Sequence, residues 1–324
     1  MRELLEFHDE LRAVARELLG KAGDWRQIVD AGWPGLEVSE SLGGSNASFV
    51  ETAIVLEELG RAAASNRFLG TTLAIGALNT VVPNASRDDL LRRVAAGAAV
   101  AFASGFTTSG GVVTGRAEFV PDAEGADVVL LLADADGVPV VVTSAEVSVT
   151  AQPVLDETRS LAVVTADGAA VSETWPLGAD PATLRDRAAI AVACDSLGLS
   201  EAMLAATVDY AKVRHQFGRP IGSFQAVKHA CADMLVQTSV ARQLVRAAVS
   251  QLADGGDTGV AASMAKSYAC GAAVDVVGKA MQLHGGIGYT WESGVHVYLK
   301  RAALNRSLFG APAEHRRRVA ARYP

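Results

Sequence analysis

Hydrophobic residues in the first hundred positions recur at the three- and four-residue spacing of amphipathic helices. The clearest case is the N-terminus, where the apolar positions are Leu4, Leu5, Phe7, Leu11, Val14, Leu18 and Leu19. Ser48, followed by Glu51, has the capping-box pattern for a helix that continues through Arg61. Further helices are predicted at about 70–79 and 86–97. The pattern predicts an N-terminal helical domain over residues 1–99.

The pattern changes near residue 100 to short, valine-rich segments of strand length. They lie at 111–114, 117–120, 127–133, 138–143, 146–150, 160–165 and 169–174. Asp136-Gly137 and Asp167-Gly168 are dipeptides typical of tight hairpin turns. We therefore expect a small antiparallel sheet that forms a middle β domain over residues 100–177.

Helical spacing returns at Pro181 and continues to the end of the chain. Asp180 or Thr183 could cap a long helix that ends near His215, and the segment 217–222 breaks it. Further helices are predicted from about Ser223 to Ala253, over 258–284 and, after the glycine-rich break 284–288, over 292–306. Long antiparallel helices joined by short loops predict a four-helix bundle over residues 178–324. The expected fold class is α+β, with helices, a small sheet and a bundle in that order.

Composition excludes several classes of protein. The chain has 324 residues, of which 50% are hydrophobic and 20% charged, enough for a large core in two or three domains. This excludes a disordered chain and a disulfide-stapled mini-protein. The net charge is −7, and the one short basic run, Arg316 to Arg318, is expected on a solvated helix face. We therefore expect no nucleic-acid partner.

Cysteine usage and hydropathy bear on the compartment. The three cysteines, Cys194, Cys231 and Cys270, show no C-x-x-C spacing, which fits buried free thiols in a reducing cytoplasm. The N-terminus is charged and amphipathic, unlike a signal peptide. No apolar run reaches the roughly 18–20 residues of a membrane span. These observations predict a cytoplasmic protein without a membrane span.

Familiar phosphate, nucleophile and metal motifs are missing from the sequence. No G-x-G-x-x-G follows a predicted strand, and Gly110 to Gly115 is followed by Arg116-Ala117 where a P-loop needs Lys-Ser or Lys-Thr. The six histidines form no paired spacing, so no metal site is expected. The informative features are the two glycine-containing breaks between the long C-terminal helices.

These breaks resemble motifs of the acyl-CoA dehydrogenase family. The first is Tyr210-Ala-Lys-Val-Arg-His-Gln-Phe-Gly-Arg-Pro-Ile-Gly-Ser-Phe-Gln225, and the second is Gln282-Leu-His-Gly-Gly-Ile-Gly-Tyr-Thr-Trp-Glu292. The segments 32–36, 42–44 and 57–61 resemble the family's N-terminal domain, so the resemblance spans the chain. It implies an acyl-CoA dehydrogenase-like fold and an FAD-dependent oxidoreductase. The implied substrate is an acyl-CoA thioester, which loses a proton from Cα and a hydride from Cβ.

The residue chemistry of both breaks suits a diphosphate ligand. A guanidinium such as Arg214 offers several donors, a helix start near Gln225 favours anions, and glycines allow close backbone approach. By resemblance, the contacts of this chain to FAD are Arg214, Phe217, Gln225, Gln282, Gly285 and Gly286. In the family these positions touch the adenine-diphosphate half of the FAD that the neighbouring subunit holds. The alternative is that Phe217 packs in the bundle and Gly285-Gly286 merely ends a helix.

The family's catalytic base is missing from its two usual positions. By resemblance these positions are Phe309 and Ala188, and neither side chain can accept a proton. Asp195 lies seven residues, or two helical turns, after Ala188 and so falls on the same helix face. Asp195 is thus a candidate base and Glu201 a weaker one. The alternative for Asp195 is a structural polar residue in the bundle or at a subunit contact.

The middle domain also departs from the family, because a Thr-Glu-Pro-like segment that grips the flavin pyrimidine is missing between Ala101 and Arg116. Ser104, Thr107 and Thr108 could serve in part. The domain is shortened relative to typical members. The chain is thus expected to hold the ADP end of a neighbour's FAD and to be poorly equipped for its own isoalloxazine.

The resulting hypothesis is a subunit of a heteromeric α2β2 acyl-CoA dehydrogenase, similar to the paired steroid-degrading enzymes of actinobacteria. A second acyl-CoA dehydrogenase chain would carry the base, and an electron-transfer flavoprotein would accept the electrons. One alternative is a self-sufficient homo-oligomeric dehydrogenase that uses Asp195 as base. A non-catalytic structural paralogue without flavin and a flavin monooxygenase on the same fold complete the hypotheses.

Overall fold

The computed structural model describes residues 2–20 and 24–323 of the chain. The helices before the sheet are α1 (Arg2–Leu19), α2 (Trp25–Asp30), α3 (Phe49–Ala62), α4 (Phe68–Thr80) and α5 (Ala85–Ala95). The strands of the sheet are β1 (Val100–Ser109), β2 (Val112–Pro121), β3 (Val128–Ala135), β4 (Val138–Thr143), β5 (Ser148–Ala151), β6 (Leu161–Ala170) and β7 (Glu173–Pro176). The later elements are α6 (Ala182–Val213), β8 (His215–Gln216), β9 (Arg219–Pro220), α7 (Gln225–Ala253), α8 (Gly259–His284), α9 (Val295–Ser307) and α10 (Pro312–Arg322). This order confirms the predicted α+β fold class.

Local sequence signals account for the starts of two helices. The backbone N–H and the hydroxyl of Ser48 donate to the Glu51 carboxylate at 2.8 and 2.7 Å, ahead of α3. The Ser48 hydroxyl oxygen accepts from the N–H of Val50 rather than that of Glu51, so one half of the predicted capping box is displaced. At α6 the cap is Asp180, whose carboxylate accepts from the N–H of Ala182 at 2.8 Å.

Among the described residues, seven strands form one sheet in the order β5-β6-β2-β1-β3-β4-β7. The expectation of an antiparallel sheet was wrong at its centre, because β1 and β3 run parallel. The sequence prediction also missed β1, which is poor in β-branched residues. β1 is a central strand that pairs with both β2 and β3, and Gly105, at φ +99°, accompanies a bulge in it.

The two predicted hairpin dipeptides behave differently. Asp136 and Gly137 both adopt positive φ and connect β3 to β4, as predicted. Asp167-Gly168 instead lies inside β6, where the pairing with β2 shifts register between Gly115 and Val113. The dipeptide therefore forms a bulge rather than a turn. The predicted segment 169–174 divides between β6 and β7, and β7 pairs with β4.

The described residues form two compact units, each discontinuous in sequence. The helical unit contains 2–20, 53–64 and 188–323, and the sheet unit contains 24–52 and 65–187. In the sheet unit, Ala74 and Leu78 of α4 pack against Leu130, Val141 and Trp175. The division into three domains, 1–99, 100–177 and 178–324, stays a prediction.

The core of the helical unit joins α6, α8 and α9 through small and aliphatic side chains, including Leu199, Val276 and Ala302. α10, whose boundaries were not predicted but whose basic run was expected on a helix face, packs along α8. Arg316 and Arg317 of α10 are exposed, as expected, while Arg318 pairs with Glu314 at 2.6 Å.

Two burial findings correct the sequence expectations. α6 is long and apolar enough by composition to cross a membrane, with a mean hydropathy of 1.5 over one window, a stretch that the sequence reading missed. Because 78% of that window is buried, the hydropathy is that of a core helix. Cys194 and Cys270 are buried free thiols, whereas Cys231 is only half-buried.

Two glycines let α3 and α6 cross closely inside the helical unit. A Cβ at Gly60 would collide with the backbone of Asp195, and a Cβ at Gly198 would collide with the carbonyl oxygen of Glu57. Each glycine is therefore required by a close backbone approach rather than by its φ angle. This crossing holds the middle of α6 against α3.

Candidate functional site

The first family-like motif folds as a tight hairpin after α6. The N–H of Arg214 still donates to the carbonyl of Tyr210 at 2.9 Å, and β8 and β9 then pair across Phe217-Gly218, both at positive φ. The N–H of Ile221 donates back to the carbonyl of Arg214 at 2.7 Å and closes the loop. The hairpin thus holds Arg214 exposed at its base and Phe217 at its tip.

Phe217 is 90% exposed and lies outside the packed bundle. Its ring meets Phe224 edge-on, with ring centroids 6.1 Å apart, and the Arg219 guanidinium lies 4.2 Å from the centre of the Phe224 ring. This placement does not fit the alternative in which Phe217 is a core residue. An aromatic ring held this far into solvent is available to a ligand or to another chain.

Gln225 is exposed and begins α7, a helix of 29 residues. The N-cap residue is Phe224, whose side chain makes no capping hydrogen bond. A helix start without a capping side chain attracts an anion through its backbone N–H groups and its dipole. The hairpin and this helix start therefore combine a guanidinium, an aromatic ring and an anion-attracting terminus within twelve residues.

The second motif forms the turn that follows α8. Gly285 adopts φ +64° and ψ −144°, a conformation that excludes other residues. Gly286 has no such constraint, and a Cβ at either glycine would meet nothing within 4 Å. Gln282 is exposed, and its side-chain oxygen accepts from the Tyr289 hydroxyl at 3.2 Å. The surface beside both glycines is open to a group from outside the chain.

Tyr210 and His284 bring the two motifs together. The ring of Tyr210, one turn before Arg214, stacks on the imidazole of His284, which precedes Gly285. The ring centroids are 4.5 Å apart and the planes differ by 20°. Both residues belong to the quoted motifs, but neither was given a role from the sequence and their contact was not predicted.

The residues of these segments fit the adenosine-diphosphate half of FAD. An exposed guanidinium and an uncapped helix start suit the diphosphate, Phe217 offers a face to a flat ring, and the open backbone at Gly285-Gly286 permits close approach. All six predicted FAD contacts lie in the helical unit and all are exposed. Their role as FAD contacts stays a prediction.

Asp195, the candidate base, is fully buried in a network of hydrogen bonds. Its two oxygens accept from Arg301 at 3.0 and 2.5 Å, and one of them also accepts from the Asn305 amide at 2.6 Å. Arg301 donates in addition to the carbonyl of Ala64 at 2.8 Å. A base must touch the carbon acid that it deprotonates. This placement favours the structural alternative for Asp195.

Glu201, the weaker candidate, is held between two arginines. One carboxylate oxygen accepts from Arg242 at 3.0 Å and the other from Arg61. The three residues line a pocket of about 410 Å³ together with Leu204, Ala205, Val208 and Asp209. Both oxygens of Glu201 are thus engaged in ion pairs.

The usual base positions carry no proton acceptor. Ala188 is buried, and Phe309 is half-buried in a turn with Gly310, where φ is +56° and +99°. The carbonyl of Phe309 accepts from Nε2 of His315 at 2.9 Å, a contact that supports this turn. A bulky residue at positive φ is uncommon, so the turn is held in a strained conformation.

In the sheet unit, the hydroxyls expected near the flavin are turned toward their own hairpin. The Thr108 hydroxyl donates to the carbonyl of Val112 at 2.8 Å, and that of Thr107 to the carbonyl of Thr114 at 3.4 Å. Both threonines line a cavity of about 240 Å³ with Asp134 and Asp136, while Ser104 is exposed at the bulge of β1. Two carboxylates beside the threonines make the cavity unfavourable for an anionic ligand.

Residues 2–20 and 24–323 contain no group of three His, Cys, Asp or Glu side chains that could hold a metal ion. Arg301 and Asn305, which hydrogen-bond to Asp195 from α9, were also missed by the sequence analysis. Their spacing of four residues places them on one helix face, but the sequence does not say which residue that face meets.

Comparison with known proteins covers nearly the whole chain. The profile for the acyl-CoA dehydrogenase N-terminal domain matches residues 2–98, and that for the acyl-CoA dehydrogenase C-terminal domain matches residues 184–323. The acyl-CoA dehydrogenase IpdE2 of Mycolicibacterium smegmatis is 36% identical over 98% of this chain and 94% of its own length.

Two solved structures are also similar. A variant of the Tcur3481–Tcur3483 steroid ACAD superposes with a TM-score of 0.89 at 26% identity over 98% of both chains. A chain of the ChsE4–ChsE5 complex from Mycobacterium tuberculosis superposes with a TM-score of 0.86 at 25% identity, over 97% of this chain and 96% of that chain. Motifs, fold and comparisons agree, and the chain belongs to the acyl-CoA dehydrogenase family, a family of FAD-dependent oxidoreductases.

Proposed function

We propose that this chain is a subunit of a heteromeric acyl-CoA dehydrogenase and completes the FAD site of a partner subunit that carries the catalytic base. One contrast carries the proposal. The residues suited to the ADP half of FAD are present and exposed, whereas the two base positions hold Phe309 and Ala188. The remaining candidate, Asp195, is locked in a buried ion pair.

The comparisons support a paired assembly and a steroid substrate. Both similar structures, Tcur3481–Tcur3483 and ChsE4–ChsE5, carry paired names, and the first is a steroid ACAD. By this likeness, the assembly is an α2β2 heterotetramer, and its substrate is the CoA thioester of a steroid-derived acyl group. We place the complex in the cytoplasm, with an electron-transfer flavoprotein as electron acceptor.

FAD, when bound, supplies the acceptor for the hydride that leaves Cβ of the substrate. The residues of this chain bind the ADP half of FAD and orient it. Arg214 and the start of α7 oppose the charge of the diphosphate, and the open glycine turn at 285–286 lets the ligand approach the backbone. Phe217 covers one face of the ligand or meets the partner chain. The partner's carboxylate removes the Cα proton.

The decisive experiment counts FAD. The full chain is purified alone and after co-expression with a dehydrogenase-like chain encoded beside it, and FAD is quantified by visible absorption after release from the protein. The proposal expects no FAD on the isolated chain and one FAD per pair of unlike chains. One FAD per chain when alone, with turnover that Asp195→Asn abolishes, would establish the self-sufficient enzyme instead. No flavin in either sample would support a non-catalytic paralogue.

A further inference from the structure

We propose that Tyr210 and His284 are positioning residues that join the two FAD-contacting segments, 214–225 and 282–286, into one rigid binding surface. The identity of the ligand rests on the proposed function. The coupling between the two segments rests on the geometry of the Tyr210–His284 pair alone. Neither residue belongs to the set of predicted FAD contacts.

The pair makes two contacts at once. The rings stack at 4.5 Å, and the Tyr210 hydroxyl donates to the backbone carbonyl of His284 at 3.3 Å. His284 is the last residue of α8, so the hydroxyl of Tyr210 contacts the backbone at the point where α8 ends and the glycine turn begins. Nδ1 of His284 donates to the carbonyl of Ala280 at 2.7 Å, which fixes the imidazole against its own helix.

Each segment also packs closely against the helix that precedes it. In the first segment, a Cβ at Gly222 would approach the carbonyl oxygen of Ala211 to 2.9 Å, so the segment lies close against the end of α6. Two residues after the second segment, a Cβ at Gly288 would collide with the carbonyl oxygen of Met281, so the turn that continues this segment lies close against α8. The Tyr210–His284 stack then links α6 to α8 at the point where both segments begin.

The functional consequence follows from the size of the ligand. A diphosphate with an adenine at one end must meet the guanidinium of Arg214 and the backbone at Gly285 at a fixed separation. Holding both segments before binding lowers the entropy lost when the ligand is bound. Loss of the stack would let the segments move independently and would weaken binding although every contact residue remains.

The coupling is tested first without any ligand, by hydrogen–deuterium exchange of the full chain. Tyr210→Leu is expected to speed exchange in the glycine turn 285–291, and His284→Leu in the hairpin 214–223. Tyr210→Phe keeps the stack and stays close to wild type. The matched control is Tyr298→Leu, because Tyr298 is also half-buried and donates to a backbone carbonyl, that of Arg61, at 3.0 Å. If each variant loosens only its own segment, the proposed coupling is wrong.

The second readout is the dissociation constant of FAD, measured by flavin fluorescence on the form of the protein that retains FAD. Tyr210→Leu should raise it about fivefold or more, the double variant with His284→Leu no further, and Tyr210→Phe less than about twofold. An unchanged constant in Tyr210→Leu, in a protein where Arg214→Ala weakens binding, would overturn the positioning role alone. If Arg214→Ala also has no effect, the proposed contact set fails, and the exchange experiment still decides the coupling.

Discussion

Asp195 of α6 and Arg301 of α9 form a buried ion pair with two hydrogen bonds, although 106 residues separate them in the sequence. The side chain of each is only 1% exposed. Asn305, one turn after Arg301, adds a third bond to the same carboxylate. Asp195, the candidate catalytic base, thus links α6 to α9 through hydrogen bonds.

Asp195→Asn is expected to destabilise the helical unit by about 3–5 kcal/mol, because it removes the carboxylate charge that pairs with the buried Arg301 guanidinium. Urea unfolding followed by circular dichroism measures the change. The control is Asp209→Asn, which removes an exposed ion pair with Lys212 and should cost less than about 1 kcal/mol. Wild-type stability of Asp195→Asn together with complete loss of turnover would instead identify Asp195 as the base.

Arg214→Ala should weaken FAD retention by about 1.5–3 kcal/mol, since it removes a charge-assisted contact to the diphosphate. The FAD content of the assembled complex and the rate of flavin loss on dilution report this change. Arg316→Ala, which removes another exposed arginine, on α10, serves as the control for net charge. Full flavin content in the Arg214→Ala complex would exclude the diphosphate role.

His315 should make the stability of the helical unit depend on pH. Burial lowers the pKa of His315, and Lys266 and Arg318 lower it further, against opposing effects of the Phe309 carbonyl and of Glu314. As the pH falls below the unfolded value of about 6.5, the unfolded chain takes up a proton that the folded chain resists, so stability decreases. At pH values below about 6.5, the free energy of unfolding therefore increases as the pH is raised, by at most about 1.4 kcal/mol per pH unit.

The test compares wild type with His315→Gln, whose amide can still donate to the Phe309 carbonyl. Denaturant unfolding between pH 5 and 7 should show a steeper loss of stability in the wild type. Above pH 7.5, where the imidazole is neutral in both states, the two proteins should share one slope. Parallel curves over the whole range would mean that His315 does not contribute to the pH dependence.

Gly198→Ala should destabilise the α3–α6 crossing by about 1–3 kcal/mol, because the new methyl group would collide with the carbonyl oxygen of Glu57. The matched control is Gly271→Ala in α8, where a Cβ would meet nothing within 4 Å. That change should stabilise the helix by up to about 1 kcal/mol, since alanine is the better helix former. The unfolding temperature should therefore fall in Gly198→Ala and rise in Gly271→Ala. A shift in the same direction in both variants would contradict the close approach of α3 and α6 at Gly198.

Helices were the most predictable part of the fold, because helical hydrogen bonds and apolar spacing are local. α4 was predicted at 70–79 and is found at Phe68–Thr80, and the two glycine-containing breaks fall where the long helices end. Asp136-Gly137 also acts through local φ preferences and was predicted correctly as a turn. Asp167-Gly168 has the same chemistry, but its pairing with β2 makes it a bulge.

The sequence by itself determined most of the helices, the α+β class and the family-like motifs, since these depend on residue identity and short-range spacing. Through the family resemblance it also showed that Phe309 and Ala188 stand at the usual positions of the catalytic carboxylate. Only the tertiary structure decided the parallel pairing of β1 with β3, the partner of Asp195 and the stack of Tyr210 on His284. Each of these contacts joins segments that lie far apart in the chain. The physical reason is that hydrogen bonds and packing between distant segments depend on how the whole core closes, which no local pattern encodes.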